Sequence, residues 1–229
     1  MALPWKIIES IPTPEGALEL RQRGEKDFLI MIGTQVLMNS VANRSEIMLG
    51  ELGCRHLKER EQPRVLVGGL GMGCTLRAVL DTLPPSAGVV VAELNPIVHA
   101  WCLGPLKSLT AGAAADPRVS VEICDVAERI RRSAASGGEN HFDAIVLDLY
   151  RGPHAKTDQR NDPLYGSRAI QNMRAALKPG GALAVWGEQY DEGFDKRLQE
   201  AGFKVTTSRP GKGGLRHVVF LGKLGDCKT

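Results

Sequence analysis

The sequence predicts an α/β fold: a seven-stranded, mostly parallel sheet ending in an antiparallel C-terminal strand pair, preceded by a small N-terminal β segment. Three observations predict it. After Pro63 short apolar runs alternate with helix-like patterns, the signature of a parallel sheet covered on both faces. Arg64 to Asp81, reading RVLVGGLGMGCTLRAVLD, passes from an apolar run through Gly69, Gly71 and Gly73 into a helical pattern. At the C-terminal end, Phe203 to Ser208 and Arg216 to Leu224 flank Arg209-Pro-Gly-Lys-Gly-Gly, a hairpin signal.

The elements follow in order. Ala17 to Arg23, Asp27 to Ile32 and Gln35 to Asn39 are β-prone runs broken at Gly24 and Gly33, which predicts a small hairpin or three-stranded sheet. A helix is expected from Asn43, where Asn43 and Glu46 have the spacing of a capping box and Ile47, Leu49, Leu52 and Leu57 supply the buried side. Residues 1–60 are thus a β segment plus helix, and 61–229 the α/β domain. Strands are expected at 64–68, 88–93, 119–125, 142–149 and 182–188, with helices near 73–82, 95–108, 126–136, 162–177 and 191–201. Asp162-Pro163 reads as a helix start, an N-cap with proline at the first helical position, and Lys178-Pro-Gly-Gly as that helix's end.

Composition narrows the functional class. With 229 residues the chain can bury a full core without staples, and a net charge of +3 from 29 basic and 26 acidic residues argues for neither a nucleic-acid nor a membrane partner. Cys54, Cys74, Cys102, Cys124 and Cys227 are scattered without a C-x-x-C pair, so they read as reduced thiols and no metal site is expected. His141, His154 and His217 lack metal-ligand spacing. No basic-then-apolar leader and no membrane-length apolar run is present, so a cytoplasmic location is expected.

In an open parallel sheet the ligand lies beyond the carboxyl ends of the strands. The residues placed there are Gly69 to Gly73 after the first strand, Glu93 after the second, Asp125 after the third and Asp148 after the fourth. Glycines let a ligand lie against the main chain, a carboxylate after the second strand can hold ribose hydroxyls, and one after the third suits an adenine amino group. Each acid is alternatively a helix cap.

The stretches VLVGGLGMGCTLRAVL, VVVAELNPIV, DPRVSVEICDVAERI, FDAIVLDLYRGP and DPLYGSRAIQNMRAALKPGGALAVW resemble, in order and spacing, the spermidine synthase-like (polyamine aminopropyltransferase) superfamily, which has the Rossmann-like class I methyltransferase fold. The resemblance covers about Leu18 to Trp186. It implies binding of S-adenosylmethionine or its decarboxylated form and SN2 transfer of an alkyl group from the sulfonium to an amine; a small-molecule acceptor is expected, and a homodimer is a possible assembly. By position Glu93 would hold the ribose and Asp125 the adenine, with Gly69, Gly71, Gly73, Thr75, Leu94 and Val126 completing the ligand contacts. Asp148 would contact the ligand and orient the attacking nitrogen, with Tyr150 as its catalytic companion.

Departures from the family pattern shape the functional expectation. Met72 and Arg151 stand where the family has acids, its Tyr-x-Glu is Arg44-Ser45-Glu46, and its ligand-binding glutamine falls at Leu37. A polycation needs carboxylates along its channel, so methyl transfer to a small molecule is expected ahead of aminopropyl transfer, and a non-catalytic adenosyl-ligand-binding protein is a third reading. His99, Trp101 and Trp186 read as packing residues, Trp186 also as a candidate for the acceptor pocket, and Arg209 to Arg216 as a hairpin tip.

Overall fold

The computed structural model describes residues 3–138, 141–210 and 217–225. Its first four strands, β1 (Lys6–Thr13), β2 (Gly16–Arg23), β3 (Asp27–Ile32) and β4 (Gln35–Asn39), form an antiparallel meander. The expected three-stranded sheet therefore gains a strand. KIIESIPT lacks apolar alternation because β1 is an edge strand, mostly exposed and bulged between Ile7 and Glu9.

The second sheet has β5 (Arg64–Gly68), β6 (Gly88–Glu93), β7 (Val119–Ile123), β8 (Phe142–Leu147), β9 (Leu177–Gly187), β10 (Lys204–Ser208) and β11 (Val218–Lys223), in the order β10-β11-β9-β8-β5-β6-β7. The pairings from β7 across to β9 are parallel, while β11 runs antiparallel to both β9 and β10. All seven expected strands are present. β8 (FDAIVL) is buried at every position because helices cover both faces of the sheet centre.

The helices are α1 (Arg44–Cys54), α2 (Cys74–Thr82), α3 (Pro96–Leu103), α4 (Val126–Ala134), α5 (Ser167–Ala175) and α6 (Glu192–Glu200). One face of the sheet packs Leu49, Leu76, Val79 and Trp101 from α1 to α3. The other packs Ile130, Ile170 and Phe194 from α4 to α6. Phe194 sits edge-on to both Tyr165 and Phe220, tying α6 to β11.

Four local expectations are corrected. The helix after Asp162-Pro163 begins only at Ser167, because Asp162 Oδ1 accepts the amides of Leu164 and Tyr165 and closes an isolated turn first. Lys178-Pro-Gly-Gly does not end a helix; it is an irregularity inside β9, between the Phe142–Leu177 and Ala144–Ala182 pairs, and α5 has already stopped at Ala175. The capping box does not form, since Asn43 makes no side-chain cap bond and the Glu46 carboxylate is taken by Ser45. Ile47 is exposed, whereas Leu49 and Leu57 are fully buried. The tip of the C-terminal hairpin, 211–216, and Cys227 lie outside the described residues. Among the described residues no helix is long and apolar enough to cross a membrane.

Candidate active site

The glycine turn sets the geometry. Gly69 has φ +84°, and a Cβ there would overlap the Asp148 carbonyl oxygen, so the turn crosses directly over the end of β8. Gly73, also left-handed, precedes α2 at its N-cap.

Beyond the strand ends lies a cavity of about 510 Å³, a size suited to a nucleoside-bearing ligand. Its floor is Gly69, Gly71, Glu93, Leu94, Asp125, Val126 and Asp148, and its roof includes Leu18, Ile30, Leu37 and Met38 of the small sheet. An adjoining cavity of about 570 Å³ shares Leu37, Met38, Glu46, Tyr150, Arg151 and Trp186, then continues past Glu188, Gln189 and His217. The two spaces meet at Glu46, Tyr150, Arg151 and Trp186.

Glu93 is buried and braces the turn. Its Oε2 accepts the Leu70 amide at 2.9 Å and its Oε1 the Asn95 amide at 2.8 Å, leaving further lone pairs toward the cavity. Asp125 has two jobs at once: Oδ1 caps α4 through the Ala127 amide at 2.7 Å, and the exposed carboxylate lines the cavity. Cap and ligand contact, posed as alternatives by the sequence, coexist here.

Asp148, at the end of β8, is held by the Thr75 hydroxyl, which donates to Oδ2 at 2.5 Å. Burial pushes its carboxyl up to about 7, the Thr75 bond draws it down and the Glu46 charge raises it again. Such a group takes and returns a proton near neutrality.

Two of the expected ligand contacts stand behind the wall instead. Thr75 is buried and supports Asp148, and Gly73 is packed beneath Thr110. Met72 is fully buried in the core, with only its amide touching Met38 Sδ at 3.2 Å. Tyr150 is partly exposed, and its hydroxyl donates to Gln35 Oε1 at 2.8 Å, pinning the loop after β8 to β4. Trp101 is a packing residue as expected, with its ring N–H donating to Glu9 of β1 at 2.7 Å.

A further group was not legible as a unit. Ser45 Oγ donates to Glu46 Oε2 at 2.6 Å and lies 3.0 Å from His217 Nδ1, while the His217 ring packs edge-on against Trp186 at 4.9 Å. With the Ser45 proton given to Glu46, Ser45 Oγ keeps lone pairs that can accept from His217 Nδ1. Ser45 and His217 are 172 positions apart, and no local pattern announces their meeting. Among the described residues no cluster of three His, Cys, Asp or Glu suited to a metal is present.

A glycine turn under a parallel sheet, successive strand-end carboxylates and an antiparallel C-terminal pair define the class I methyltransferase-like fold. Solved spermidine synthases share this fold. Spermidine synthase from Thermotoga maritima superposes with a TM-score of 0.71 at 21% identity, covering 95% of this chain and 72% of that one. In sequence the chain is 34% identical over 121 residues to a polyamine aminopropyltransferase of Mycobacterium tuberculosis, 53% of this chain and 22% of that protein. It is 32% identical over 136 residues to polyamine aminopropyltransferase 1 of Hyperthermus butylicus, 58% of this chain and 44% of that protein. The chain thus matches less than half the length of these relatives. No family model matches it.

Proposed function

We propose that the chain transfers the 3-aminopropyl group of decarboxylated S-adenosylmethionine to an amine. The observation that carries this is a pair of acids: Asp148 in the first cavity, with its pKa raised to about 7, and the buried Glu46 where the two cavities meet. An attacking amine must arrive with its nitrogen aligned on the donor carbon and lose a proton, and an acid of near-neutral pKa serves both needs. The nitrogen lone pair forms the new C–N bond as the C–S bond breaks. The bonding electrons pass to sulfur, which discharges the sulfonium, and the nitrogen's surplus proton passes to Asp148. Glu93 would hold the ribose hydroxyls and Asp125 the adenine amino group of the donor, with the backbone of Gly69 and Gly71 against it.

The expectation of methyl transfer rested on missing acids, and two findings weaken it. Met72 faces the core, so its lack of charge leaves the cavity unchanged. Glu15 and Glu188 bring carboxylates that the motif comparison did not count, beside the Glu46 that it retained. The similarity to polyamine aminopropyltransferases supports the same conclusion. Methyl transfer from intact S-adenosylmethionine is the second reading, favoured by Arg151, which lines both cavities and could pair with that donor's carboxylate.

The test is to offer decarboxylated and intact S-adenosylmethionine separately with a panel of amines and quantify methylthioadenosine and S-adenosylhomocysteine by mass spectrometry. Methylthioadenosine formed at about 1 per second or faster is expected with the decarboxylated donor. S-adenosylhomocysteine as the sole product would establish methyl transfer instead.

A further inference from the structure

We infer that the acceptor is an amino acid bearing a side-chain amine, rather than a plain diamine; this rests on the aminopropyl-transfer reading and names its substrate class. The cavity of about 570 Å³, read as the acceptor's, is lined by Arg151 as well as by the acids Glu46 and Glu188. Arg151 follows Tyr150 in the loop after β8, with its guanidinium 5.7 Å from the Tyr150 ring centre. Glu188 follows the end of β9. Both line the acceptor cavity, and among the described residues neither forms an ion pair.

Their segments nevertheless touch. A Cβ on Gly152 would stand 2.7 Å from Gly187 Cα and 2.7 Å from the Trp186 carbonyl oxygen, so the backbones carrying Arg151 and Glu188 are in direct contact. Two opposite charges that share a cavity rim without neutralising each other match a carboxylate and an ammonium carried on one carbon. Glu46, where the two cavities meet, and Asp148, in the donor cavity beside it, suit a second amine arriving at the donor carbon. Leu37 and Trp186 add apolar wall for a methylene stem. A diamine would instead bring a second ammonium into the cavity that Arg151 lines, a like charge. The chemistry of transfer is unchanged: the side-chain nitrogen gains the aminopropyl carbon, sulfur keeps the electrons of the broken bond, and the proton goes to Asp148.

Ornithine against putrescine and lysine against cadaverine test this directly, because each pair differs only by the carboxylate. With decarboxylated S-adenosylmethionine as donor, methylthioadenosine release should show kcat/KM higher for the amino acid by about tenfold or more. In R151A that preference should fall by roughly 10- to 100-fold, and in R151D it should invert toward the diamine. Calorimetric titration of the same four compounds into protein saturated with methylthioadenosine gives a second readout that does not depend on turnover. A wild-type preference for diamines, or an amino-acid preference unchanged in R151A, overturns the inference. No turnover with any acceptor, but amino-acid binding that is lost in R151A, retains the acceptor class and overturns aminopropyl transfer. Absence of both turnover and binding overturns both.

Discussion

Replacing Asp148 by Asn removes the proton acceptor while keeping the side chain's shape, and the Thr75 hydroxyl that donates to Asp148 Oδ2 can still donate to the amide oxygen. The carboxyl stands at about 7 in the folded chain against an ordinary 3.8. Between those values the native state binds more protons than the unfolded one, so stability is fully present below the unfolded value and is lost as pH rises through about 7. The full shift corresponds to at most about 4 kcal/mol, reduced by whatever water the open cavity admits. D148N should therefore be the more stable protein at pH 8, by an amount that shrinks to nothing near pH 4, measured by urea denaturation at several pH values. Its catalysis should fall by about 10²- to 10⁴-fold. The parent's kcat/KM for methylthioadenosine release should rise with pH and level off above about 7, an inflection that D148N lacks. Activity within tenfold of the parent, or an inflection retained in D148N, would refute Asp148 as the base.

Glu93→Ala should cost roughly 2–4 kcal/mol of stability, because the Leu70 and Asn95 amides both lose their acceptor, and should abolish the thermal shift given by adenosyl ligands. Asp125→Ala should cost about 1 kcal/mol as a lost N-cap and also weaken adenosyl-ligand binding, whereas Asp125→Asn should leave the stability near that of the parent; paired melting and titration experiments separate the two roles. Ser45→Ala breaks the link between Glu46 and His217 and should lower stability by about 1–3 kcal/mol, read from denaturant midpoints, with the KM for the acceptor rising more than that for the donor.

The parallel sheet was legible because strands buried on both faces must be uninterruptedly apolar, as in Val65-Leu66-Val67 and Ala144-Ile145-Val146-Leu147. The strand-end acids were legible for a related reason: a carboxylate that closes an apolar run stands where the chain leaves the core. What failed was local. Asp162-Pro163 carries a helix-start signal, but its carboxylate satisfied the next two amides and spent the signal on a turn. Asn43 and Glu46 had capping-box spacing, but Ser45 next door competed for the acid. Met72 looked like a lost cavity charge because sequence register cannot tell which side of a turn faces the core. The Ser45 and His217 contact depends on α1 lying against β11, a relation between distant parts of the chain.

The donor cavity has its floor in one sheet and its roof in the other, and that division has a kinetic consequence. Leu18 and Ile30 belong to the meander, and Glu93 and Asp125 to the strand ends across from it. An occupant therefore acts as a rivet between two layers held together by contacts such as Met38 against Gly71 and Glu9 with Trp101. Hydrogen exchange should then slow in β2 and β3 on nucleoside binding as much as in the glycine turn, although those strands offer the ligand only apolar side chains. Loosening the small sheet should hasten product departure, making the roofing layer the one that sets how long the spent nucleoside stays.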